Sequence, residues 1–121
     1  MSKILIVEDN EMNRDMLSRR LGRKGFEVQI AVDGEKGLAA MRSDKPDVVL
    51  MDMGLPVKDG WTATKEAKSD PDISQIPIIA LTAHALEEDK QRALEAGADD
   101  FDTKPVNFSV LLEKINKQLD L

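Results

Sequence analysis

A chain of 121 residues with a formal net charge of −6 has the size of one domain, large enough to bury roughly two thirds of its unfolded surface without covalent staples. It carries no cysteine and one histidine, His84, which excludes disulfides, thiolate zinc sites and cysteine nucleophiles and leaves oxygen chemistry as the theme. The acidic balance argues against direct nucleic-acid binding, which runs on clustered Lys and Arg.

The N-terminus, MSKILIVEDN, has too short an apolar run for a signal peptide or a membrane span, so a soluble cytoplasmic protein is expected. Its run Ile4 to Val7 predicts a first strand, ending in Glu8-Asp9. A helix follows from about Glu11 to Arg23, with Met12, Met16, Leu17 and Leu21 on its apolar side and Arg19, Arg20, Arg23 and Lys24 as a basic surface. Val28 to Ala31 reads as the second strand, and Asp33 as the cap of a helix that turns Leu38 and Met41 inward. The third strand, Val48 to Met51, runs into Asp52 and the loop MGLPVKDG; Trp61 then packs at the start of a third helix. Ile78 to Leu81 ends in Thr82, and a weaker strand around Phe101 ends in Lys104-Pro105. Asn107 caps the last helix, whose Phe108, Leu111, Leu112, Ile115 and Leu119 form one stripe at i, i+3, i+4, i+7 and i+11.

No repeat, linker or low-complexity segment divides the chain, so one domain over residues 1–121 is expected. Continuous apolar strands alternating with helices imply an α/β fold, a doubly wound five-stranded parallel sheet covered on both faces. In such a sheet, ligands bind at the carboxyl ends of the strands, where strand order reverses. If the first and third strands are neighbours there, Glu8, Asp9 and Asp52 converge. Carboxylates that close repel one another unless a cation neutralises them. All-oxygen ligation favours Mg²⁺ or Mn²⁺ over zinc. Thr82 and Lys104 add a hydroxyl and an ammonium at the next strand ends, a set complementary to a phosphoryl group on an aspartate.

The five signals together, ED at 8 and 9, D at 52 followed by GLP and DG, LTA at 81 to 83, and KP at 104 and 105, resemble the receiver domain of two-component response regulators. The resemblance runs from about Lys3 to Leu119. It implies a flavodoxin-like (βα)5 fold with strand order 2-1-3-4-5, and a single-domain receiver acting in phosphorelay signalling. Residue by residue, it implies that Asp52 accepts a phosphoryl group from a phosphohistidine, with Thr82 and Lys104 gripping the phosphoryl oxygens. Mg²⁺ would be held by Glu8, Asp9, Asp52 and the backbone carbonyl of Gly54. Lys104-Pro105 matches a peptide bond that is cis in the family. Phe101 matches the switch aromatic that follows Thr82, here without the hydroxyl of the tyrosine versions. Ala83 and His84 match positions bordering the site, and Gly54 offers the phosphoryl group no shielding side chain.

The implied partners are a histidine kinase or histidine phosphotransfer protein, docking along the first helix near Met12 and Met16, and a downstream protein. The latter would meet the face of the fourth helix, fifth strand and fifth helix, where Glu87, Asp89, Lys90 and Arg92 lie. Neither a membrane nor a nucleic acid is implied. Three other classes fit less well. A flavodoxin-like redox protein needs a hydroxyl- and glycine-rich phosphate loop where EDNEMN stands. A haloacid-dehalogenase-type phosphatase needs a D-x-D nucleophile after its first strand. A pseudo-receiver would lack the competent set. The expected role is a switch and not a metabolic enzyme.

Overall fold

The computed structural model describes residues 2–83 and 87–119. Five strands and five helices alternate in chain order. They are β1 (Lys3–Val7), α1 (Glu11–Arg23), β2 (Glu27–Ala31), α2 (Gly34–Asp44), β3 (Val48–Asp52), α3 (Gly60–Ser69), β4 (Ile78–Thr82), α4 (Glu87–Glu95), β5 (Asp100–Thr103) and α5 (Phe108–Gln118). The sheet is wholly parallel in the order β2-β1-β3-β4-β5. This is the flavodoxin-like receiver arrangement, and the reversal of strand order falls between β1 and β3.

Strand sequence explains strand position. Val48, Val49, Leu50 and Met51 of β3 are completely buried, as are Ile78, Ile79 and Ala80 of β4. A strand covered on both faces must be apolar at every position. Alternate residues feed two cores. Leu5, Val7, Val49, Met51, Ile78 and Ala80 pack toward α2 and α3. Ile4, Ile6, Val48, Leu50, Ile79 and Leu81 pack toward Leu17 and Leu21 of α1 and Leu111 and Ile115 of α5. The edge strands depart from the expectation of burial on both faces. Ile30 of β2 is 48 % exposed, and every residue of β5 is only partly buried, because an edge strand has a neighbour on one side alone. The α1 stripe is also shorter than its periodicity suggests. Leu17 and Leu21 are buried and Met16 packs beside them, whereas Met12 projects 82 % exposed because it sits in the first turn, beyond the sheet it would cover.

Polar caps fix where each helix starts, and so where each loop points. Asn10, Asp33, Asp59 and Asn107 each accept a hydrogen bond from the backbone N–H three residues on, satisfying a donor that has no partner inside the helix. Asp33 and Asn107 are the caps read from the sequence. Asn10 leaves Glu8 and Asp9 outside the helix, free to serve the strand end. Gly60 is required by close packing: a Cβ there would lie 2.2 Å from the Asp52 carbonyl oxygen. Its N–H donates to the Met53 carbonyl at 3.1 Å, pinning α3 against the end of β3.

Candidate functional site

The register of three neighbouring strands brings the acids together. Val7 of β1 stands beside Met51 of β3, so the next residues, Glu8 and Asp52, emerge at the same carboxyl edge. Carboxylate oxygens of Glu8, Asp9 and Asp52 lie within 4.8 Å of one another. Glu8 is 1 % exposed and Asp52 6 %. Asp52 is opposite Leu81 of β4, and Thr82 follows, 4 % exposed. Thr82 in turn stands beside Thr103 of β5 and its carbonyl accepts from the Lys104 N–H at 2.8 Å. The Lys104-Pro105 bond is cis, and the lysine side chain turns into the acidic cluster.

Lys104 Nζ donates to Glu8 Oε1 at 2.5 Å and sits 3.3 Å from Asp52 Oδ1. Burial pushes the Glu8 carboxyl up from its ordinary value; the Lys104 ammonium pulls it down, but the neighbouring Asp52 adds to the rise. Burial works against the Lys104 ammonium, and the hydrogen bond to Glu8 with the charge of Asp52 more than offsets it, so its pKa is raised. Three carboxylates thus face one ammonium, an excess of two negative charges in a half-enclosed crevice. That surplus and all-oxygen donor set fit a divalent oxygen-loving cation. The Gly54 N–H donates to Asp52 Oδ1 at 3.3 Å, the same oxygen that faces Lys104 Nζ.

Other expected residues fall around this centre. Asp52, Met53, Gly54, Thr82, Ala83 and Lys104 line one cleft of about 410 Å³, together with Trp61, Asp89 and Arg92. Ala83 is exposed on its border. Phe101 is partly buried and packs against the core on the α2–α3 side of the sheet. His84 lies outside the described residues. A second cavity of about 360 Å³ opens on the other side of Lys104, between Asn13, Met16 and Leu17 of α1 and Pro105 and Val106.

Two contributors were not evident from the sequence. Arg14, on the first turns of α1, donates to the carbonyls of Glu8 at 3.2 Å and Asp9 at 3.1 Å, holding the acidic turn in place. Arg92 of α4 stacks on Trp61 of α3, 4.4 Å from the ring centroid. Arg14 follows its partners by only five and six residues, so an arginine one turn after an acid pair is a signal that could have been used. The Arg92 pairing spans two helices and has no local signature.

A family model described as the response regulator receiver domain matches residues 4–116. The chain is 40 % identical over 119 residues to Protein PilH of Pseudomonas aeruginosa, covering 98 % of each. It is likewise 40 % identical to hybrid signal transduction histidine kinase I of Dictyostelium discoideum, where it covers 97 % of this chain and 7 % of that much longer protein. A solved receiver domain of a Pseudomonas aeruginosa sensor histidine kinase superposes with a TM-score of 0.92 at 34 % identity, covering 99 % of this chain and 98 % of that one. That structure holds a magnesium ion coordinated in its active site cleft.

Proposed function

This chain belongs to the response regulator receiver family of phosphorelay signalling, and on that premise we propose that Asp52 is its phosphoacceptor. Receiver domains take phosphoryl groups from histidine kinases or phosphotransfer proteins, and they work as signalling switches. The observation that carries the assignment is the position of Asp52, 6 % exposed at the end of a buried central strand, with Lys104 3.3 Å away and two further acids alongside.

An Asp52 carboxylate oxygen attacks the phosphorus of a phosphohistidine. The P–O bond forms as the P–N bond breaks, its electron pair returning to the imidazole and leaving an acyl phosphate on Asp52. A carboxylate needs no general base at neutral pH, so the residues around it work by positioning and charge neutralisation. Lys104 offers its ammonium to the phosphoryl oxygens, and Thr82 at the adjoining strand end offers its hydroxyl. Bound Mg²⁺, held by Glu8, Asp9, Asp52 and the Gly54 carbonyl, would neutralise the charge that accumulates on the transferring group. The same residues serve hydrolysis of the acyl phosphate, which makes the domain a catalyst of its own turnover and of nothing else.

Phosphorylation adds negative charge where Lys104 and Thr82 converge, and the response passes through Phe101 to the surface of α4, β5 and α5. The histidine-bearing partner approaches along α1, where Met12 is 82 % exposed beside the cavity lined by Asn13 and Met16. The reading places the switch in the cytoplasm, as one receiver unit. Met12→Asp should slow transfer from a protein donor and spare acetyl phosphate; equal loss with both would refute docking there.

Acetyl phosphate with Mg²⁺, read by intact mass, tests the assignment of the acceptor. Wild type should gain one phosphoryl group and Asp52→Asn none. A wild type that stays unlabelled while a control receiver is labelled would overturn the reading.

A further inference from the structure

Arg92 stands at the mouth of the cleft over Asp52 with no task in the transfer described above. The floor of that cleft carries Asp52 and Lys104, and its rim is drawn from α3 and α4, where Trp61, Asp89 and Arg92 stand. The guanidinium carbon of Arg92 lies 4.4 Å from the centroid of the Trp61 ring. Among the described residues no carboxylate forms an ion pair with it. Stacking on an indole fixes the guanidinium plane while leaving its N–H edges free to donate, a geometry suited to oxyanions.

The pocket needs such a cation. Asp89 on the rim adds a negative charge outside the set that a cation at Glu8, Asp9 and Asp52 would neutralise, and it repels an anionic phosphodonor before it reaches Lys104. A Cβ on Gly54 would meet nothing within 4 Å among the described residues, so no described side chain crowds the cleft at that point. Electrostatics then bears on how well a small donor is held there.

We propose that Arg92, held on Trp61, captures the phosphoryl oxygens of small amido and acyl phosphates on the α3–α4 side of Asp52, and so sets how well this receiver uses them. The proposal rests on Asp52 being the phosphoacceptor. With phosphoramidate, an Asp52 oxygen attacks phosphorus, the P–N bond breaks, and ammonia departs with the bonding electron pair. Arg92 touches the donor's oxygens and takes no proton. Its effect lies in binding and leaves the chemical step to Asp52, Thr82 and Lys104.

The test follows phosphoramidate labelling by intact mass over a range of donor concentrations, with Mg²⁺ at fixed ionic strength. Wild type must label and Asp52→Asn must not; failure of either overturns the phosphoacceptor reading itself. Arg92→Gln should then raise KM for phosphoramidate roughly three- to tenfold, the scale of one partly screened charge-assisted hydrogen bond, with kcat little changed. Trp61→Leu should move KM in the same direction, and Arg92→Lys, which keeps the charge but not the planar fork, should restore part of the loss. Asp89→Asn should lower KM. Lys90→Gln removes the same charge from α4 outside the cleft and should match wild type. A wild-type KM in Arg92→Gln, an equal rise in Lys90→Gln, or a defect confined to kcat would overturn the proposal. Arg92 is exposed, so its variants test the idea even where Trp61→Leu fails to fold.

Discussion

Two lysines meet carboxylates at opposite ends of the central sheet, and they do opposite things. At the amino end of β4, Lys68 of α3 donates to Asp99 Oδ2 at 2.7 Å, to the Ile76 carbonyl at 2.8 Å and to the Ser74 carbonyl at 3.2 Å. Asp99 Oδ2 also accepts the Ile78 N–H at 2.8 Å. One charge meets one charge, and all three ammonium hydrogens have acceptors. At the carboxyl end, Lys104 faces Glu8 and Asp52 with Asp9 close by, and two negative charges remain over. The balanced pair clips α3 to the strand. The unbalanced set has the surplus charge and oxygen donors that fit a divalent cation.

The contrast extends to the backbone. Gly97, at φ +106, passes so close to Lys68 that a Cβ would lie 2.7 Å from its Cγ, so the clip end is packed with a glycine where a glycine is needed. At the site end, Val57 follows Asp52 by five residues and holds φ at +65 while 82 % exposed. The Lys58 N–H donates to the Pro56 carbonyl at 2.7 Å across it, forming a γ-turn of the strained hand on a β-branched residue. One end of the sheet is built for stability; the other carries charge crowding at Glu8 and Asp52 and backbone strain in the loop that follows β3.

The strongest way to break the comparison is to cut the clip. Lys68→Met leaves the Asp99 carboxylate and two carbonyls without their cation and should lower stability by about 2 kcal/mol, seen as a reduced urea midpoint with labelling at Asp52 intact. Glu8→Gln should do the reverse, raising metal-free stability by about 1 kcal/mol through relief of a buried like-charge contact. Mg²⁺ should raise the melting temperature of wild type by mass action and do so far less in Glu8→Gln. If both lysine clusters lose stability alike on neutralising their acids, the contrast between them fails.

The pH dependence follows in sign from the same carboxylate. Burial, with Asp52 adding to it, holds the Glu8 carboxyl above its ordinary value of 4.5. A raised folded-state value means that its stabilising contribution is complete below 4.5 and is lost as pH climbs through the folded value. In EDTA, the advantage of Glu8→Gln over wild type should open as pH rises from 4.5 and close again below it. A gap independent of pH would show that the charge on Glu8 is not what burdens the fold. The smallest effect belongs to Val57→Gly. Relief of the positive φ, partly cancelled by glycine's freedom in the unfolded chain, should add about 0.5 kcal/mol without altering phosphorylation.

The sheet was legible because β3 and β4 are apolar at every position and each ends on one polar residue, Asp52 and Thr82. Asn107 and Asp33 betrayed their helices through side chains suited to capping. The acids and Lys104 were legible as a set because a parallel sheet places all its strand ends on one edge. What escaped is long-range: Lys68 and Asp99 are 31 residues apart, and Trp61 with Arg92 join two helices by a contact that no local pattern encodes. Met12 misled because helical period alone does not say where the sheet beneath a helix stops.

The phosphoacceptor itself is read most directly by borohydride reduction, which converts an aspartyl phosphate to homoserine at the position that carried it. After acetyl phosphate and Mg²⁺, peptide sequencing by mass spectrometry should find homoserine at position 52 and nowhere else. Homoserine at Asp9, or at another aspartate with position 52 unchanged, would contradict the account.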